Sequence, residues 1–198
     1  MSADIVIRGG TVFDGSGAPG RAADVAISGG VICEIGPKLR GKRELDASGC
    51  AVAPGFIDVH THYDAQVFWD PALQPSCFHG ITTVVAGNCG FAIAPTRPAH
   101  HDLIVRTLEN VEDMDPATLT AGIVWEFETF PEYMELIRRR GTVLNFTAYI
   151  GHSPLRLYVM GDAAYERAAT AAEIERMCEL VREAIEQGAA GFSTSFSF

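Results

Sequence analysis

From Pro54 onward the chain repeats one grammar: a short apolar run, a polar stretch, then a helical segment. The runs are residues 55–59 (GFIDV), Ile81–Ala86 (ITTVVA), residues 142–150 (TVLNFTAYI) and the stretch beginning at 189–193. ITTVVA is continuously apolar and β-branched rather than alternating, as a strand covered on both faces of a parallel sheet would be. Parallel strands need crossover connections, and these are right-handed. Their C-terminal ends then open on a single face, where the chemistry of such sheets is found. This arrangement limits both the fold and the places where a site can be built.

The helices between the runs carry their own boundaries. In Phe130–Arg140 (FPEYMELIRRR), Pro131 suits the first turn, three arginines occupy the last, and Gly141 stops the helix. Residues 170–187 open with a capping box, Thr170 and Glu173, and end at Gly188. Ile174, Met177, Cys178, Val181 and Ile185 form one apolar stripe on that helix, expected to face the core. A loop rich in Pro and Asp spans about 91–122 and contains a helix near 100–110.

The segment before Pro54 reads differently. Residues 4–14 and 23–36 each show strand, Gly-Gly turn, strand, a hairpin signal, and Glu44-Leu45-Asp46 adds a third short piece. The expected organisation is a small antiparallel β-sandwich domain at 1–52 with no visible chemistry, followed by an α/β domain at 53–198. The second domain falls well short of the roughly 250 residues of a (β/α)8 barrel. It is either a smaller open sheet or the first half of a barrel. The lack of a helix after the last strand favours the half barrel, because an uncovered strand would leave a sheet edge exposed.

Composition excludes several classes. At 47% hydrophobic and 20% charged residues the chain is ordinary globular material. The net charge of −10, spread along the sequence, argues against nucleic acid or anionic lipid as a partner. No basic leader precedes an apolar stretch, and no apolar run is long enough to cross a bilayer, so a cytoplasmic protein is expected. Five cysteines without dense spacing (Cys33, Cys50, Cys77, Cys89, Cys178) read as reduced thiols. All but Cys89 are expected to be small buried apolar residues.

The strand ends gather the polar chemistry. The first run leads into PGFIDVHTHYDAQ, where His60 and His62 stand two apart and would point the same way on a strand, with Asp64 just beyond. The second ends in GNCG around Cys89, the third in Gly151-His152-Ser153, and the fourth in Ser193-Thr194-Ser195. Two imidazoles and a thiol on adjacent strands suit a zinc ion. The bland alternatives are solvated or packed histidines and a buried bystander thiol. His152 reads equally as a substrate contact or as a loop residue capping the next helix, and Ser193 as a hydrogen-bonding support. His79, His100 and His101 have no strand-end position and read as structural or solvated.

PGFIDVHTH after a small N-terminal sheet resembles the amidohydrolase superfamily of metal-dependent hydrolases. HTHYDAQ, GITTVVAGNCG, GHSPLR and GFSTS together resemble its D-aminoacylase branch. The resemblance implies a metal-dependent-hydrolase (β/α)8 barrel of which this chain carries the first half, one or two Zn2+ ions, and a small N-acyl-D-amino-acid substrate. It implies that His60 and His62 bind one metal, that Cys89 takes the bridging place held elsewhere by a carboxylated lysine, and that Asp64 supports them. Two further histidines and the general-base aspartate would come from later strands. No catalytic base is therefore expected within this chain, and the isolated 198 residues are expected to be inactive without the remaining half of the barrel. Homo-oligomerisation is compatible with this reading. The competing readings are a cyclic amide hydrolase of the dihydroorotase or hydantoinase kind, which the cysteine argues against, and a non-catalytic binding relative.

Overall fold

The chain divides into two units, Met1–Gly55 and Phe56–Phe198, and the computed structural model describes residues 2–195. The first unit contains β1 (Ala3–Val12), β2 (Arg21–Ser28), β3 (Val31–Gly36), β4 (Gly41–Asp46) and β5 (Ala51–Val52). They form one sheet in the order β3-β2-β1-β4, with β5 continuing beside β1.

Two expectations for this unit are corrected. Only Gly29-Gly30 makes a hairpin turn, joining β2 to β3. Gly9-Gly10 instead lies inside the unbroken β1, where the register against β2 slips between Ile7 and Gly10. A bulge forms there because Gly9 adopts φ +76°, its amide donates to the buried carboxylate of Asp24 (2.9 Å), and β5 passes close. A Cβ on Gly10 would lie 2.5 Å from the Val52 side chain. The sheet is also mixed rather than antiparallel, since β4 and β5 both run parallel to β1. Among the described residues the unit is a single sheet, not a sandwich.

The second unit follows the strand–helix grammar except in its first step, where two 3-10 turns, Gln66–Phe68 and Ser76–His79, stand in place of an α-helix. It comprises β6 (Phe56–Asp58), β7 (Ile81–Ala86), α1 (His101–Glu112), α2 (Pro116–Gly122), α3 (Phe130–Arg140), β8 (Asn145–Gly151), α4 (His152–Met160), α5 (Ala171–Glu186) and β9 (Gly191–Ser193). The four strands pair in chain order, β6-β7-β8-β9, all parallel. The proline- and aspartate-rich stretch holds two helices rather than one, the second capped by Asp115, whose carboxylate accepts from the Thr118 amide at 2.8 Å.

The core lies between the strands and the helices. Val84 and Ala86 of β7 and Ala148 and Ile150 of β8 are buried against Phe68, Phe127, Phe130 and Tyr133. These rings meet at tilted or edge-on angles with centroids 5.2–6.2 Å apart, apart from the stacked Phe68–Phe127 pair. Burial of each such side chain contributes about 1.5–3 kcal/mol. Both α3 and α5 begin with a complete capping box, Thr129 with Glu132 and Thr170 with Glu173.

The apolar stripe of α5 is a further correction. The residues that α5 buries are Met177, Leu180 and Ala184, whereas Ile174 and Ile185 are each 50% exposed and Cys178 is exposed. The helix is rotated so that the stripe only partly meets the sheet. Its edge lines an open apolar groove of about 680 Å³ with Leu155 and Phe192. Cys33 and Cys50 are exposed as well, and Cys77 is half-buried, so the expectation of buried thiols fails. Cys33 lies on the edge strand β3, and Cys50 in the connection before β5, where little covers them.

Candidate metal centre

The site begins where β6 ends. Thr61 stands between the two histidines and faces the protein: its amide and its hydroxyl both donate to the Val85 carbonyl, at 3.0 and 2.9 Å. His60 and His62 flank it just past the end of β6. Their ring centroids are 5.4 Å apart. The amide of His60 donates to the Asp58 carboxylate at 3.3 Å.

The next strand ends in a turn over residues 87–90 that carries Cys89. Gly87 (φ +72°) and Gly90 (φ +76°) accept left-handed backbone without cost, but Cys89 is also left-handed (φ +56°, ψ +18°). That conformation costs a residue with a Cβ of order 1–2 kcal/mol, so its surroundings must enforce it. Three contacts do so. The Gly87 amide donates to Asp64 Oδ2 at 3.1 Å, Asn88 Nδ2 donates to the Thr61 and Val85 carbonyls, and the turn lies flat on the ends of β8 and β9. The approach is backbone to backbone. A Cβ on Gly87 would sit 2.2 Å from the Tyr149 carbonyl oxygen, and one on Gly151 would sit 2.8 Å from that of Gly90.

The consequence is a converged donor set. Cys89 Sγ lies 3.0 Å from His60 Nε2, and one donor atom from each of His60, His62 and Cys89 falls within 4.8 Å of the others. Ligands at the usual zinc distances, about 2.0–2.1 Å for nitrogen and 2.3 Å for sulfur, are separated by roughly 3.5 Å on a tetrahedron. A 3.0 Å approach with every donor inside 4.8 Å is compatible with that value, so the three residues fit a zinc-sized ion. Among the described residues this is the only group of three or more His, Cys, Asp or Glu donors with such spacing.

Asp64 and Tyr133 form the floor. Asp64 is 1% exposed, and its carbonyl accepts from the Tyr133 hydroxyl at 3.1 Å. Full burial, reinforced by the Asp64 charge, pushes the Tyr133 phenol well above its ordinary range, so it stays protonated as a donor.

The other two candidates sit on neighbouring strand ends. His152 is the first residue of α4. Its Nδ1 lies 3.1 Å from Thr194 Oγ1, and its ring meets Phe192 edge-on at 5.7 Å. Burial, helped by Arg156, lowers its pKa below the ordinary 6.5, and it borders the apolar groove rather than joining the donor group. Ser193 is hydrogen-bonded to the cysteine turn at both ends. His79, His100 and His101 do not join the donor group; His101 stacks on Trp125 with centroids 3.9 Å apart. Thr61 and Tyr133 carry no chemical motif, and the sequence reading passed over them, while Asn88 was visible only as part of GNCG. Only the polar insertions of Thr61 and Asn88 beside apolar runs gave a signal.

Several known proteins are similar to this chain. The profile of the amidohydrolase family matches residues 43–197. The D-aminoacylase of Alcaligenes xylosoxydans xylosoxydans is 38% identical over 193 residues, covering 96% of this chain and 37% of the relative. The N-acyl-D-aspartate deacylase of the same organism is 39% identical, covering 97% of this chain and 36% of the relative. The crystal structure of N-acyl-D-glutamate deacylase from Bordetella bronchiseptica, complexed with zinc and a phosphonate mimic of the tetrahedral intermediate, superposes with a TM-score of 0.82. It is 37% identical, over 98% of this chain and 38% of that one. The chain thus spans somewhat over a third of the length of these relatives.

Proposed function

Because the chain belongs to the amidohydrolase family, we propose that it carries the N-terminal share of a zinc-dependent hydrolase that cleaves the amide bond of N-acyl-D-amino acids. The observation that carries this reading is the 3.0 Å approach of Cys89 Sγ to His60 Nε2 with His62 beside them. Two imidazoles and one thiolate leave a tetrahedral ion an open position, which is the pattern of a catalytic rather than a purely structural zinc site. The similarity to deacylases of D-amino acids over nearly the whole chain supports the substrate class.

His60, His62 and Cys89 would hold the metal. When bound, zinc supplies a Lewis acid that polarises an acyl oxygen and acidifies water at neutral pH. The remaining groups fix the frame. Thr61 holds the histidine pair on β7, Asp64 and Asn88 hold the cysteine turn, and Tyr133 holds Asp64 from below. No residue described here is positioned as the general base, and an aspartate from a later strand is assigned that role. The 198 residues alone are accordingly expected to bind metal without turnover.

The test uses the protein in its full natural length, stripped of metal and reloaded with zinc. Hydrolysis of N-acetyl-D-amino acids but not their L-enantiomers is expected, with zinc content and activity both falling in Cys89→Ala and His62→Ala. A zinc-loaded protein that releases no amino acid from any D-substrate would refute the assignment. Unchanged zinc content in both variants would place the metal elsewhere.

A further inference from the structure

The turn that carries Cys89 is closed by a residue from the far end of the sheet. Ser193 Oγ donates to the Gly87 carbonyl at 2.5 Å and accepts from the Gly90 amide at 3.1 Å. One hydroxyl thus spans the entry and the exit of a four-residue turn, using its single proton and one lone pair. We propose that Ser193 is a positioning residue for the metal site: its hydroxyl buckles the turn at residues 87–90 and thereby sets how tightly the Cys89 thiolate binds the ion. This rests on the reading of His60, His62 and Cys89 as metal ligands.

The fold is shaped to permit this reach. In register, Ser193 of β9 lies opposite Gly151 of β8. The absence of a side chain at 151 lets the Gly90 carbonyl pass over the end of β8, where a Cβ would stand 2.8 Å from it. Gly90 then rests on the backbone of Thr194 and Ser195, with its Cβ position 3.1 and 3.2 Å from them. On the opposite side the Gly87 amide is held by Asp64. Gly87 is therefore gripped at its N–H by a residue following β6 and at its C=O by a residue of β9. Cys89 is left-handed between these grips, and the direction of its Cα–Cβ bond follows from that backbone conformation.

Without the hydroxyl, the Gly87 carbonyl and Gly90 amide lose their common partner. Cys89 can then relax toward an ordinary backbone conformation, and its sulfur leaves the 3.0 Å approach to His60. Removing partners that orient metal ligands typically weakens metal affinity 10- to 100-fold.

The experiment titrates the metal-free, full-length protein with cobalt(II), reading the thiolate-to-cobalt charge-transfer band and the ligand-field bands separately. Thermal unfolding of each apo protein is recorded in parallel. Ser193→Ala is expected to bind cobalt about tenfold or more weakly, with the thiolate band reduced more than the ligand-field bands. Ser193→Thr, which keeps the hydroxyl, is expected to restore both. Wild-type affinity and band in Ser193→Ala would overturn the proposal while leaving the metal site intact. So would a lowered unfolding temperature with cobalt affinity unchanged, which is the mark of a merely structural role. If Ser193→Ala does not fold, Ser193→Thr decides: loss of the thiolate band in a folded Thr variant overturns the proposal. Absence of a thiolate band in the wild-type protein would instead remove the metal reading itself, and the bracket with it.

Discussion

Gly87 and Gly80 offer a paired test of what enforces the cysteine turn. Both are left-handed, Gly87 at φ +72°, ψ +30° and Gly80 at φ +75°, ψ +12°. Substitution by alanine therefore imposes nearly the same backbone penalty at each, about 1 kcal/mol. The surroundings differ. A Cβ at 80 would meet only the Phe56 ring at 3.5 Å, an ordinary contact. A Cβ at 87 would lie 2.2 Å from the Tyr149 carbonyl oxygen and 3.1 Å from its carbon and nitrogen, all backbone atoms of β8. No rotamer change relieves that clash, so the turn and the strand must separate by roughly 1 Å, an overpacking cost of about 1–3 kcal/mol. Gly80→Ala is expected to cost about 1 kcal/mol and Gly87→Ala about 2–4 kcal/mol. Urea unfolding followed by circular dichroism measures both, provided the slopes agree so that midpoints compare directly. If Gly87→Ala is no more destabilised than Gly80→Ala, the close packing of this turn on β8 is refuted.

Two further outcomes follow from the same structure. Tyr133→Phe deletes a buried hydroxyl that donates to the Asp64 carbonyl, and is expected to lower stability by about 1–3 kcal/mol in urea unfolding; an unchanged midpoint would contradict the bond. Glu173, held by Arg167 and by the Thr170 amide and hydroxyl, has its carboxyl depressed from 4.5 to about 2. A depressed carboxyl stabilises the fold above its unfolded pKa and loses that contribution as pH falls through the folded one. The thermal-stability advantage of the wild type over Glu173→Gln should therefore be full above pH 4.5 and shrink toward pH 2. A difference independent of pH over that window would refute it.

The local part of the fold was legible because its signals are local. Thr170 with Glu173, Pro131, and the glycines at 141 and 188 mark helix ends through contacts within one turn of chain. The parallel pairing of β7, β8 and β9 in chain order follows from the short strands and the helices between them, whereas β6 and β7 are joined by 3-10 turns alone. What escaped depends on partners far along the chain. Gly9-Gly10 and Gly29-Gly30 are the same dipeptide, yet one is a bulge and one a turn; the carboxylate of Asp24 and the passage of β5 distinguish them. The α5 stripe was drawn correctly on the helix, but its orientation is set by packing on α4 and the sheet, which brings Leu180 inward and turns Ile174 outward. At the candidate centre, His-x-His spacing is visible in a single strand. The approach of Cys89 depends on β7 lying next to β6 and on a turn whose supports, Asp64, Asn88 and Ser193, stand at strand ends in the sequence but reveal which atoms they hold only in three dimensions.

The 103 residues separating Gly90 from Ser193 also bear on the order of folding. Closing a long loop costs conformational entropy before its contacts return any, so helices and adjacent strands form ahead of such a contact. The histidine pair needs only β6 and β7, whereas the Ser193 hydroxyl reaches both ends of the cysteine turn only once β9 has docked. An ion that needs all three ligands therefore meets a frame already assembled, unlike the small zinc domains in which the metal itself drives folding. In this architecture, capture of the metal would report that the sheet has closed as far as its fourth strand.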